Sequence, residues 1–359
     1  MKKEKVKVIM CGSDLSVKGG MVTVVRNYLK YEHWDEFQIN YIPTHIEKGK
    51  VYGIFYFIKA YLHILYLLLM KKIDIAYLHT SERGSIYRKL IIARTMKKFG
   101  IPVILHHHGA EFDKFYEGLS NGEKRFVQKG LQTVDVNIVL SDALVNMITS
   151  KAPNSKVFTL YNSVAVDNNH YNNDGDKILF LGRLGKRKGT YDLIDAISAL
   201  DSKIDMKFKF LLCGDGDIET VKKEIGKKGI WNRIEYIGWI DKTQKEELYK
   251  SVILNVLPSY NEGLPMTILE TMSYGIPNIS TGIASIPEVI EDGVNGFLIS
   301  PGDVNDLADK MERLINDNSL RKEFSNAAYE KIKSTFSLDT NMMKLKSLLR
   351  DLIDCDKEW

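Results

Sequence analysis

The chain has 359 residues, long for a single hydrophobic core, so two domains are expected. With 44% hydrophobic and 27% charged residues the composition is globular, which excludes a disordered chain. Fifty Lys and Arg against 46 Asp and Glu leave a net charge of only +4, too little for a protein that binds nucleic acid by bulk charge.

The start, MKKEKVKVIMCG, runs from charge straight into a strand and has no apolar stretch of signal-peptide length. Continuous apolar runs then recur with helical stretches between them: VKVIMCG, FQINYIP, IDIAYLHT, IPVILHHHG, VNIVLS and KVFTLYN. Such runs fit strands of a parallel sheet buried on both faces. Residues 51–70 are the exception. This stretch is long and apolar enough to span a bilayer and is broken by only Lys59 and His63. A lysine near the bilayer centre costs about 2.5–3.5 kcal/mol, and a span would separate strands of one sheet. The expectation is a buried or membrane-surface helix, its tyrosines suited to an interface.

The polar stretch 164–176 reads as a linker. After it the alternation restarts with KILFLGRL, FKFLLCGDG, IEYIGWI, SVILNVLPS, IPNIST and GFLIS. The fold class is α/β: two doubly wound, Rossmann-like domains in series. The expected division is 1–165, 166–336, and a C-terminal amphipathic helix, 337–359, that crosses back onto the first domain. Ligands of such sheets sit beyond the carboxyl ends of the strands, so the chemistry is sought in the loops there. Cys11, Cys213 and Cys355 lie far apart with no metal-ligand spacing and read as reduced thiols of a cytosolic protein.

Two stretches carry chemistry. In FLGRLGKRKG, residues 180–189, Gly182 and Gly185 permit a tight turn, and Arg183, Lys186, Arg187 and Lys188 gather positive charge at a helix N-terminus. That combination suits a diphosphate; a solvated basic loop is the plainer alternative. In SYNEGLPMTILETMSYGIP, Glu262 precedes a helix and Glu270 lies inside it. Carboxylates accept hydrogen bonds from vicinal hydroxyls, so one could hold a sugar and the other a ribose; otherwise they are a helix-start acid and an exposed Glu.

Together these stretches resemble glycosyltransferase family 4, retaining enzymes of the GT-B fold, in which two Rossmann-like domains face each other across a cleft. The likeness rests on G-R-L-x-x-x-K-G at Gly182–Gly189 and E-G-L-P-M-T-I-L-E-T-M-x-x-G-I-P at Glu262–Pro277, followed by IPEVIEDGVNGFLISPGD. It implies that Arg183 and Lys188 neutralise the donor diphosphate and that Glu262 contacts the transferred sugar. Glu270 would hold the ribose, and backbone N–H groups of Gly263, Leu264, Pro265 and Met266 (Pro265 itself lacking one) would line the donor. Trp239 and Ile240 fall where such proteins hold the nucleobase, or else simply pack. Gly19 and Gly20 resemble the family's glycine loop, although a Gly pair alone marks only a tight turn. His108 matches the family's histidine near the donor sugar, and Glu111 and Asp113 are candidates to orient an acceptor hydroxyl.

His79 reads as a core histidine. Metal binding by His106–His108 is not expected, since neighbours in a strand point to opposite faces. Asp215 and Asp217 in CGDGD are set aside as a metal motif. Two departures from the family pattern, Pro265-Met266 and Ala284-Ser285, bear on the sugar pocket. The implied function is a retaining transferase moving a sugar from a nucleotide-diphospho-sugar, UDP-linked, to a saccharide acceptor, lipid-linked, for surface polysaccharide. It would need no metal or cofactor, bind no nucleic acid, and work in the cytoplasm at the inner membrane face. A non-catalytic GT-B partner subunit, an inverting transferase and a sugar-nucleotide hydrolase are the alternatives.

Overall fold

The computed structural model describes residues 4–355. The chain divides into two compact units, one running to Asn162 and resuming at Asp339, the other being Ser163–Leu338.

In the first unit β1 (Val6–Gly12), β2 (Phe37–Pro43), β3 (Ile75–Thr80), β4 (Val103–His107), β5 (Val136–Val139) and β6 (Val157–Thr159) form one sheet in the order β2-β1-β3-β4-β5-β6. The second unit holds β7 (Lys177–Leu181), β8 (Lys209–Cys213), β9 (Ile234–Gly238), β10 (Val252–Leu257), β11 (Asn278–Thr281) and β12 (Gly296–Ile299), in the order β12-β11-β10-β7-β8-β9. Every pairing is parallel. All twelve strands coincide with the apolar runs of the sequence. β3, β4, β5 and β10 are buried at every position, which explains why these runs do not alternate with polar residues.

The strand order fixes where ligands can enter. Each sheet reverses direction beside its first strand, between β1 and β3 in one unit and between β7 and β10 in the other. At such a point the loops leave to opposite sides and open a crevice beyond the carboxyl ends. The loop after β7 is the basic one, and the loop after β10 leads to Glu262.

Helices α1 (Gly20–Lys30), α2 (Lys50–Leu69) and α3 (Gly84–Lys98) connect the first four strands. In α2, Ala60, Ile64, Leu67 and Leu68 enter the first unit's core, while the opposite face is exposed. The C-terminal helix, Leu338–Cys355, returns to the first unit: Lys346 Nζ reaches Asp35 at 2.7 Å, and Arg350 Nε reaches Glu36 at 2.5 Å. The polar stretch 164–176 differs from a loose linker. It lies in the second unit, where Tyr171 donates to the Ile253 carbonyl at 3.0 Å and Asn173 accepts from Arg321 at 3.1 Å. Its Asn and Asp residues make fixed bonds that composition alone does not reveal. Cys11 and Cys213 are buried free thiols, each pushed up to about 12 by burial; the side chain of Cys355 is outside the described residues.

Candidate active site

In the second unit, β7 ends in a loop that turns through a 3-10 segment, Lys186–Lys188, into the helix Thr190–Leu200. The turn depends on glycine. Gly189 has φ +70°, and a Cβ there would meet the Pro258 carbonyl at 1.9 Å; one on Gly214 would meet the Gly182 carbonyl at 1.8 Å. Only glycine lets the basic loop lie against both neighbouring loops. Tyr260 N–H donates to the Arg187 carbonyl at 2.9 Å, which fastens the basic loop to the one after β10.

This contact brings Lys188 to Glu262. Their side chains form a short ion pair, and Ser259 Oγ donates to the same carboxylate oxygen, Glu262 Oε1, at 2.7 Å. Glu262 is only 7% exposed, so its charge is held by two fixed donors on one oxygen. Arg183 is exposed and makes no ion pair among the described residues, leaving its guanidinium open to an anion. The helix Met266–Ser273 begins after Pro265 with no side-chain cap and no acid in its first turn. Thr267 Oγ1 donates to the Leu181 carbonyl at 3.1 Å, anchoring that helix start at the end of β7. A helix N-terminus beside Lys188 and Arg183 is a place for negative charge.

Glu270 is placed separately from Glu262. Its Oε2 accepts from Lys245 Nζ at 2.7 Å and from Tyr249 at 3.4 Å, which leaves Oε1 for a ligand hydroxyl. Burial holds the Tyr249 hydroxyl well above its ordinary pKa, so it stays a donor. Trp239, beyond β9, is 47% exposed, with its carbonyl bonded to Tyr236 at 2.7 Å; Ile240 turns into the core beside Tyr249 and Leu179. Of this pair, therefore, the aromatic face is presented and the isoleucine packs. Hydrogen bonds from Thr220 and, at 3.1 Å, from Tyr191 hold the Asp217 carboxyl below its ordinary value.

In the first unit, Gly19 (φ 141°) immediately precedes α1, which has neither a side-chain cap nor an acid in its first turn. His108 follows β4, and its Nε2 shares a hydrogen bond of 2.8 Å with His79 Nδ1. His106 Nδ1 is bonded to Tyr77 at 2.7 Å, and His107, on the other face, to Asn137 at 3.1 Å. Burial pushes His108 down to about 3 and His107 to about 4, so both rings are neutral at ordinary pH. His79 is buried as a core residue, yet it also orients His108. Ring nitrogens of His79, His106 and His108 lie within 4.8 Å of one another. The opposite-face argument against a metal therefore separates His107 only. Of the nitrogens on the other three rings, His79 Nε2 and His106 Nε2 are buried without a hydrogen-bond partner, while His79 Nδ1 and His108 Nε2 are bonded to each other. The two acceptor candidates are engaged: Glu111 faces Arg83 at 3.8 Å, and Asp113 is ion-paired with Lys151.

Several site groups went unnoticed in the sequence: Ser259, Lys245, Tyr249 and Glu82. Glu82 accepts the Glu111 N–H at 2.5 Å and fills the space beside Gly109, where a Cβ would strike it.

Residues 166–331 match the family described as glycosyl transferases group 1. An uncharacterised glycosyltransferase of Methanocaldococcus jannaschii is 26% identical over 97% of this chain and 99% of its own. An uncharacterised 41.2 kDa protein in the cps region of Klebsiella pneumoniae is 26% identical over 83% of this chain and 87% of its own. Among solved structures, HepE of Anabaena in complex with UDP superposes with a TM-score of 0.77, at 16% identity, over 96% of this chain and all of that one. Two Rossmann-like units, with a basic loop and a glutamate pair at the second unit's switch point, make this a glycosyltransferase of the GT-B fold. The match to the glycosyl transferases group 1 lies within the second unit.

Proposed function

We propose that the protein is a retaining transferase that moves a sugar from a UDP-linked donor to a lipid-linked saccharide on the way to a bacterial surface polysaccharide, at the cytoplasmic face of the membrane. The observation that carries this reading is the Lys188–Glu262–Ser259 cluster at the β7/β10 switch point, beside an uncapped helix start. Arg183, Lys188 and the helix N–H groups take the diphosphate, and Glu262 holds the sugar. Glu270 receives the ribose hydroxyls on its open oxygen, and Trp239 stacks on the base. Within the first unit, His108 offers a neutral imidazole and Gly19–Gly20 a glycine turn at a helix start. A structure solved with UDP among the fold neighbours, and a relative from a cps region, support the donor and the pathway class.

The chemistry needs no covalent nucleophile on the enzyme. The bond from the anomeric carbon to the diphosphate oxygen breaks while the acceptor oxygen bonds to the same face, and its proton passes to the departing phosphate. Fixed cations carry the charge on the leaving group, so no metal is required. The test is transfer from a panel of UDP-sugars to a saccharide-diphospho-lipid, with the product anomer read by NMR. Retained configuration supports the reading. Inverted configuration rules out front-face substitution, and free sugar alone makes the protein a hydrolase.

A further inference from the structure

The outer face of α2 is unlike that of a helix on a soluble domain. Spacing near 3.6 sends Ala60, Ile64, Leu67 and Leu68 into the core. The opposite face should then be polar. Instead it shows Val51, Tyr52, Ile54, Phe55, Ile58, Leu62, Tyr66, Leu69 and, just past its end, Met70, with Val51 at 70% and Leu69 at 71% exposure. These nine side chains expose on the order of 1,000 Å² of surface, above the roughly 300–600 Å² of the largest patch on a typical monomer.

The charges around the face identify what covers it. From residue 48 to 72 the chain carries Lys48, Lys50, Lys59, Lys71 and Lys72 and no acid. Two lysines lie at each end and one in the middle. The helix starts at Gly49 with no side-chain cap and no acid in its first turn, so its orphan N–H groups also favour an anion. An apolar band framed by lysines and carrying tyrosines matches an anionic bilayer surface, with headgroups at the ends and acyl chains between. A second copy of this chain fits less well, because a two-fold contact would set these lysines against their own counterparts. A span does not fit: the helix is long and apolar enough to cross a bilayer, but one side is core, and β2 and β3 at its two ends both pair with β1.

We propose that α2 lies flat in the interface of an anionic membrane and docks the first unit there. This deepens the lipid-linked acceptor reading, although it stands on α2 alone. The experiment is sedimentation of the purified full chain with vesicles of phosphatidylcholine, or of an equimolar mixture with phosphatidylglycerol. The protein should pellet with the anionic vesicles at low salt. Lys71→Gln/Lys72→Gln should weaken partitioning about 25-fold, at about fivefold per lysine, an equivalent of about 1 kcal/mol each. Phe55→Ser/Leu62→Ser should weaken it at least about tenfold while leaving the core and UDP binding untouched, since both side chains are exposed.

No pelleting at low salt overturns the proposal, as does pelleting indifferent to the serine pair. A concentration-dependent dimer in light scattering that the serine pair abolishes assigns the face to a second copy instead. Protein that only detergent releases from vesicles would make α2 a span. UDP calorimetry on the same samples keeps the two readings apart. Nucleotide binding without vesicle binding sinks this inference alone; vesicle binding without nucleotide binding sinks the donor assignment alone.

Discussion

Glu262→Gln separates the structural work of the buried pair from its chemical work. In the wild type, one carboxylate oxygen receives both Lys188 Nζ and Ser259 Oγ, and the side chain is almost fully buried. Removing a partner of such a pair outright costs about 3–5 kcal/mol, because the other charge is left stranded. An amide oxygen can keep both hydrogen bonds and loses only the charge, so the expected loss is nearer about 2 kcal/mol. For a unit of this size that is a fall in Tm of about 4–8 °C, measured by calorimetry or circular dichroism. Turnover should fall by about 10²–10³, the scale for losing one group that stabilises a transition state. Adding Lys188→Met removes the stranded ammonium. The double variant should therefore recover stability to within about 1 kcal/mol of wild type while remaining inactive. The assay is release of nucleoside diphosphate from the donor beside melting curves for the wild type, Glu262→Gln, Lys188→Met and the double variant. Strictly additive melting shifts, or turnover within about threefold of wild type in Glu262→Gln, would refute this reasoning.

Glu270→Gln should raise the UDP dissociation constant about tenfold with the fold intact, since one charge-assisted bond to the ribose is weakened; unchanged calorimetric binding would remove Glu270 from the donor site. Trp239→Ala should cost about 1–3 kcal/mol of nucleotide affinity without a melting shift, as the ring is half exposed; a lowered Tm with normal binding would make it a packing residue. Acid should destabilise the first unit: rings near 6.5 when unfolded bind protons that the buried, neutral His79, His106, His107 and His108 refuse. Stability then falls by about 1.4 kcal/mol per ring for each pH unit below about 6.5, continuing to about 4 for His107 and about 3 for His108. A Tm that is flat from about pH 7.5 to about 5.5 would contradict this. Ala284 sits at φ +47°, where a side chain costs about 1–2 kcal/mol, so Ala284→Gly should raise Tm by about 1–4 °C after the added entropy of the unfolded chain is counted; a fall would show that the turn is not strained. Turnover in excess EDTA should match the untreated enzyme, and a loss restored by a divalent cation would overturn the metal-free assignment.

What was legible follows from how each feature is encoded. The strands were readable because a parallel sheet covered on both faces demands continuous apolar runs, as β10 and β3 show. Glu262, Glu270, Arg183 and Lys188 stand out as candidates because the loops at strand ends and the helix starts that follow them carry their chemistry in local sequence. Their partners were not. Lys245 and Tyr249 reach Glu270 from the helix Lys242–Tyr249, whose place is set only by packing, and Ser259 acquires meaning only once Lys188 is brought beside it. His79 illustrates the same limit: a buried strand residue and a residue that orients His108 look alike in sequence. α2 was ambiguous for a different reason. A helix apolar all round has no period to show which face is buried, so its exposed side appeared only with the fold. Ala284 was noted as a departure from the family pattern, but the strain it carries depends on a backbone angle.

The central claim is a uridine diphosphate site built by the second unit, and calorimetric titration of the wild-type protein with UDP, GDP, ADP and TDP tests it most directly. The account predicts measurable binding of UDP, weaker binding of the other three, and loss of UDP binding in Arg183→Ala/Lys188→Ala. Equal, absent or mutation-indifferent binding across the four nucleotides would contradict it.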